Sequence, residues 1–235
     1  MKKLHLSVLV FNAVTAIGAL VATAAQAQSA PTIWVAPAAQ KIRPQTQPDA
    51  HSPTSATLAA AQNEFESFHV VVTGQATGVS MALAQLDDGK GHVISGRDVV
   101  LYREALINVT LPSGGDGATG LWPDALVPDV DPLVGEKRNA FPFDVAAGQS
   151  IAVLVDVHVP QGAPAGTYRG TVSVTGGASA QVPVQLTVWD FAMPSTSSLR
   201  SAFGMAWNGP CMGHGDGACS NAGAEAPPVT DTVPR

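Results

Sequence analysis

Residues 151–159 read I-A-V-L-V-D-V-H-V, with Ile151, Val153, Val155, Val157 and Val159 on one parity and Asp156 and His158 on the other. Branched apolar residues at every second position fit a pleated strand with one buried face; a helix would scatter them around its axis. The pattern recurs along the chain. Phe65–Thr73 is rich in aromatic and β-branched residues and closes at Gly74, and Met81–Leu86 ends at the turn formers Asp87-Asp88-Gly89. Val99, Leu101, Ala105, Ile107, Val109 and Leu111 share one parity, with Tyr102, Glu104, Asn108 and Thr110 opposite. Tyr168–Thr175 sets Val172 and Val174 against Arg169, Thr171, Ser173 and Thr175; Gln181–Asp190 aligns Val182, Val184, Leu186 and Val188. Pro183 has no N–H for a ladder, which predicts an edge at the start of that strand. No window holds a 3.6-residue period. Seven or eight short strands separated by turn signals predict an all-β chain, an antiparallel, immunoglobulin-like two-sheet sandwich.

Composition narrows the function. Only 13% of the 235 residues are charged and the net charge is −6. A chain so poor in Lys and Arg has no electrostatic footprint for nucleic acid or anionic lipid. Its 46% apolar content is too high for general disorder.

Residues 1–27 read as a secretory signal: Lys2 and Lys3, an apolar run over Leu6–Val21, then Ala25-Gln26-Ala27 as cleavage site. Cleavage removes two positive charges and no acid, taking the net charge from −6 to −8. No other run is long enough to span a bilayer. A secreted or periplasmic protein, free of the membrane after cleavage, is the expectation. A Pro/Gln/Ala-rich lead-in (28–55) follows, with residues 33–35 as a possible first strand. The sandwich proper spans 56–194, and 195–235 is a linker and a Gly-, Ala- and Pro-rich tail expected to lack order. Within the sandwich, Pro112–Gly148 is a long, turn-rich excursion.

Cys211 and Cys219 flank a glycine-rich stretch containing His214 and Asp216. Export favours a disulfide between them; a metal site lacks the paired C-x-x-C spacing, and free thiols are the third reading. The excursion holds Asp116, Asp124, Asp129, Asp131, Glu136 and Asp144; such oxygen-rich loops can hold Ca²⁺, but the spacing matches no EF-hand and solvated acids are the expected outcome. Its Trp122, Phe141 and Phe143 have two readings: they staple the loop over the sandwich, or, if exposed, they offer flat faces to sugar rings. Glu64 and Glu66, like Asp129 and Asp131, are two apart, so neither pair flanks a substrate as two-carboxylate glycoside hydrolysis requires. The histidines form no i, i+4 or H-x-H group, and no nucleophile elbow, phosphate loop or dinucleotide fingerprint is present, so no catalytic residue and no cofactor is expected.

Four segments carry a family resemblance: Leu58–Phe68 (LAAAQNEFESF), Leu121–Pro128 (LWPDALVP), Val155–Gly170 (VDVHVPQGAPAGTYRG) and Leu186–Pro194 (LTVWDFAMP), the last followed by Ser201-Ala202-Phe203-Gly204. Together they resemble the N-terminal domain of secreted, glycoside-hydrolase-like bacterial proteins, the family 123-like group carrying the DUF4091 domain. In that family S-A-F-G leads into a catalytic barrel. About thirty residues follow Gly204, whereas such a barrel takes roughly 250. The resemblance therefore implies a non-catalytic sandwich module that supports or positions a barrel absent from this chain, and it transfers no catalytic residue. A carbohydrate-binding module using Trp122, with a glycan as partner, is the alternative; a truncated or frameshifted gene for a longer glycosidase is a third reading.

Overall fold

The computed structural model describes residues 30–111 and 117–196. Among them there is no α-helix, only twelve strands and one short 3₁₀ turn at Gly96–Asp98. The strands are β1 (Thr32–Pro37), β2 (Ala56–Gln62), β3 (Phe65–Thr73), β4 (Ala76–Ala82), β5 (Gln85–Asp87), β6 (Val93–Ser95), β7 (Val99–Val109), β8 (Gly120–Pro128), β9 (Phe143–Val145), β10 (Ser150–His158), β11 (Gly166–Thr175) and β12 (Ala180–Ala192).

They form two sheets, as the alternation predicts. One has the order β1-β3-β10-β7-β8; the other runs β2-β12-β11-β4-β9, with β5 also on β11 and β6 on β5. Val70, Val72, Val153, Val155 and Val157 from the first sheet meet Val172, Val174, Val182, Val184, Leu186 and Val188 from the second in one core. The long valine runs thus face inward on the parity read from the sequence. Tyr168 is buried in this core and its hydroxyl donates to the Pro164 carbonyl four residues upstream at 3.0 Å, a tyrosine corner holding the β10–β11 turn.

Four details depart from the sequence reading. First, the pairing is antiparallel except between β12 and β2, which run parallel from Val184↔Ala56 onward. Pro183 lies just before that pairing starts, so it meets only β11, and the edge it predicts is there. Second, Met81–Leu86 is broken into β4 and β5. Leu83 and Leu86 are both buried, and residues three apart cannot share a face of one continuous strand. Gly170 makes room for the break: a Cβ there would strike the Gln85 carbonyl oxygen and the Leu86 side chain. Third, the excursion contains β8 and β9. Gly120, Pro123 and Pro128 hide β8 from a propensity reading, yet it pairs with β7 along the sheet edge, with a register shift where Leu106 meets Pro123 and Glu104 meets Leu126.

Fourth, β7 does not keep one buried face. Its pairing with β10 ends at Arg103, and beyond it β7 and β8 continue as a two-stranded arm. Ile107 and Leu111 are therefore exposed, whereas Glu104, on the polar parity, is buried. The reason is the lead-in. Residues 38–53 form no strand but cover the outer face of the five-stranded sheet, where Ile42 packs with Trp34, Ala36, Val71 and Ala152 in a second apolar cluster. Buried hydroxyls fasten it: Trp34 Nε1 donates to Thr73 Oγ1 (2.9 Å), Thr73 and Ser150 hydroxyls bond at 2.6 Å, and Ser150 Oγ donates to the Thr46 carbonyl (2.6 Å).

Candidate functional site

The structure places the three aromatic residues singled out in the excursion in two settings. Phe143 is buried in the core and Phe141 packs against it, ring centroids 5.9 Å apart. Trp122 lies on the arm, opposite Ile107, with its Nε1 donating to the Ala118 carbonyl (2.7 Å). One face of its indole is covered by Arg43, whose guanidinium carbon is 4.2 Å from the ring centroid. Arg43 also donates to the carbonyls of Leu121 (3.2 Å) and Thr119 (3.0 Å), so it ties the lead-in to the arm. These contacts do not join the three rings into one platform.

Three acids of the excursion, Asp131, Glu136 and Asp144, bond within the protein. Asp131 accepts from the backbone N–H groups of Leu133 and Val134 and from Arg138, and these bonds hold its carboxyl below the usual range. Glu136 pairs with the same Arg138 (3.0 Å), and Asp144 caps the Gly78 N–H (2.8 Å). Among the described residues no group of three acids, histidines or cysteines is placed to hold a metal ion. Glu64 takes the Ala61 N–H at 2.7 Å, a structural bond. Cys211, Cys219 and Asp116 lie outside the described residues.

A different constellation forms where the chain leaves the sandwich. Val188 pairs with Ala60 and Ala192 with Gln62, so Trp189, Asp190 and Phe191 bulge opposite Ala61 alone. Trp189 and Phe191 are 45% and 52% exposed, their rings stacked with centroids 5.8 Å apart, and Met193 is 43% exposed. The neighbouring turn Gln62-Asn63-Glu64 acts as a clamp. Asn63 takes a left-handed φ of 61°, which its short polar side chain tolerates. Its Nδ2 donates to the Met193 carbonyl (3.0 Å) while Met193 N–H donates to the Gln62 carbonyl (2.8 Å). Asn63 N–H reaches the Val159 carbonyl (2.7 Å), Val159 N–H returns to Glu64 (2.8 Å), and Gly162 N–H donates to Gln62 Oε1 (2.9 Å).

Beside the clamp, Phe65 is 63% exposed and stacks on His158 at 4.5 Å, and His158 Nδ1 bonds Asp98 (2.8 Å). Three segments distant in sequence, Leu58–Phe68, Val155–Gly170 and Leu186–Pro194, thus meet at one end of the sandwich. Sequence reasoning found each segment but not their convergence, which depends on the parallel β2–β12 pairing. The signal available was W-D-F-A-M after a clean valine alternation, apolar side chains on the parity that should face water.

No known family profile and no curated protein matches the chain. Among solved structures it is similar to a family 123 glycoside hydrolase from Clostridium perfringens, studied for the details of glycolipid glycan hydrolysis. The TM-score is 0.55 at 14% identity, over 71% of this chain and 28% of that one. AvmM, which catalyses macrocyclization in alchivemycin A biosynthesis, matches at a TM-score of 0.30 and 10% identity over 72% of this chain and 93% of its own, too low to carry an argument. The chain spans 28% of the length of the glycoside hydrolase, and what the two share is a related fold.

Proposed function

We propose that this chain is a non-catalytic β-sandwich module of a secreted, glycoside-hydrolase-like protein, and that it fixes the position of a domain following Pro194. The convergence at the exit carries the reading. The hydrogen-bonded clamp holds Met193, the residue before Pro194, and Trp189, Phe191 and Met193 leave an apolar surface beside it. Adjacent half-exposed aromatic side chains are the usual anchors of an interface, since each can bury on the order of 150–250 Å². The related fold of a family 123 glycoside hydrolase, most of which lies outside the matched part, supports the same reading.

The test is hydrolysis. Purified chain incubated with a panel of 4-nitrophenyl glycosides should release no nitrophenolate above the buffer rate. Turnover abolished by replacing one carboxylate would overturn the proposal.

A further inference from the structure

We propose that the outer face of the seven-stranded sheet carries a binding groove for a carboxylated sugar, centred on Arg169. The groove, about 410 Å³, has its floor on β12 and its sides on β11 and the start of β2. That size lies within the usual range of small-ligand sites. Register fixes its layout. Thr57, Gln185 and Arg169 lie in one row across three strands, and Thr171 stands opposite Pro183 in the next. At the spacing of paired strands the row is about 10 Å wide.

The chemistry follows from what these side chains have left to bond. Arg169 donates to Gln185 Oε1 at 3.3 Å and forms no ion pair with any described residue. No Asp or Glu lines the groove; Asp87, opposite Arg169 on β5, accepts the Gly89 N–H with its Oδ1 and forms no ion pair with the guanidinium. Its planar fork matches a carboxylate. Around it stand the hydroxyls of Ser55, Thr57 and Thr171 and the amide of Gln185, mixed donors and acceptors suited to a polyhydroxylated ring. The exposed ring of Pro183 gives an apolar floor for the C–H face of such a ring. A phosphate would use Arg169 but leave the hydroxyls and Pro183 idle; a neutral sugar would leave Arg169 idle. A uronic-acid unit uses both. This inference does not depend on a domain after Pro194.

The probe is digalacturonate, titrated into isotopically labelled full chain and followed by amide chemical shifts. Shifts concentrated at residues 55–57, 169–171 and 183–185 are expected, with binding roughly tenfold weaker for Arg169→Gln, and weaker too for the methyl-esterified disaccharide, which keeps the rings and loses the charge. Thr171→Val gives a second, milder variant that keeps the Arg169 charge. Absence of shifts in this groove, or equal binding by wild type and Arg169→Gln, would overturn the site. Equal shifts with sodium acetate would overturn the assignment to a sugar.

Discussion

His69 on β3 and Glu104 on β7 meet at 3.0 Å between Nε2 and Oε1, across the intervening strand β10 and beneath the lead-in. Both are buried, and Glu104 Oε2 has no hydrogen-bond partner among the described residues. The other ring nitrogen, Nδ1, faces the Pro37 carbonyl at 3.2 Å. A carbonyl only accepts, so Nδ1 carries hydrogen, and one further proton lies between Nε2 and Oε1. Whichever atom holds it, the pair is neutral overall. His69→Phe alone should cost about 3–5 kcal/mol because it strands a buried carboxyl. The double variant His69→Phe with Glu104→Leu should recover most of that loss, since both polar groups leave together. Denaturant unfolding of the four members of this cycle checks the claim; additive losses would contradict it.

Arg43 performs three tasks at once, and lysine cannot replace its fork. Arg43→Lys should cost on the order of 1 kcal/mol. Hydrogen exchange should locate the effect, with faster exchange on the β7–β8 arm and unchanged protection in β10 and β12. Equal loosening throughout would show that Arg43 does not act locally.

The chain has two tyrosines, and both titrate above the ordinary 10.0. Burial is the main cause for each, aided by the charges of Asp156 and Asp131 near Tyr102 and of Asp88 near Tyr168. The folded state keeps both phenols neutral where the unfolded chain already ionises. Their contribution to stability is therefore complete below pH 10 and lost as pH rises through the folded values. Phenolate absorbance of the native protein should show no tyrosine titrating at the ordinary value, and the rise should coincide with loss of near-ultraviolet dichroism. A tyrosine that ionises at pH 10 in the folded protein would contradict this.

Asp88 behaves in the opposite sense. Desolvation acts to raise its pKa, but hydrogen bonds from the His92 ring and from the Lys90 and His92 backbones outweigh it and hold the group at about 2 against an ordinary 3.8. Its stabilisation is present above pH 3.8 and fades as pH falls toward 2. Asp88→Asn should flatten that part of the acid-unfolding curve; an unchanged curve would show that the turn at Asp88 is not coupled to folding.

Much of this architecture is written in the residues. Phe65–Thr73 and Ile151–Val159 coincide with β3 and, within one residue at each end, with β10, because β-branched residues alternating with polar ones have one sensible burial. The alternation fails where a local pattern serves a non-local need. Glu104 sits on a polar parity and is still buried, because residues 38–53, some sixty positions earlier, cover that face. β8 stays hidden because prolines and glycine dominate it, and only its pairing with β7 makes it a strand. For the site, Trp122 and Phe143 stood out by type, but neighbours far along the chain already use them. Trp189 and Phe191 were less prominent and are the exposed pair.

Gly176 tests the packing of the second sheet. Its φ of +98° and the position of the Gly78 carbonyl leave no space for a Cβ. Gly176→Ala should destabilise by on the order of 3 kcal/mol, combining backbone strain with overpacking. Thermal unfolding of the variant beside Gly177→Ala, which meets Thr77 backbone atoms, should show both lowered.

The central claim, that this sandwich serves a domain following Pro194, is tested most directly by the gene. Sequencing past the codon for Arg235 in all three frames should find a continuation encoding alternating strands and helices, in frame or frameshifted. No such barrel-like text in any frame would contradict the account.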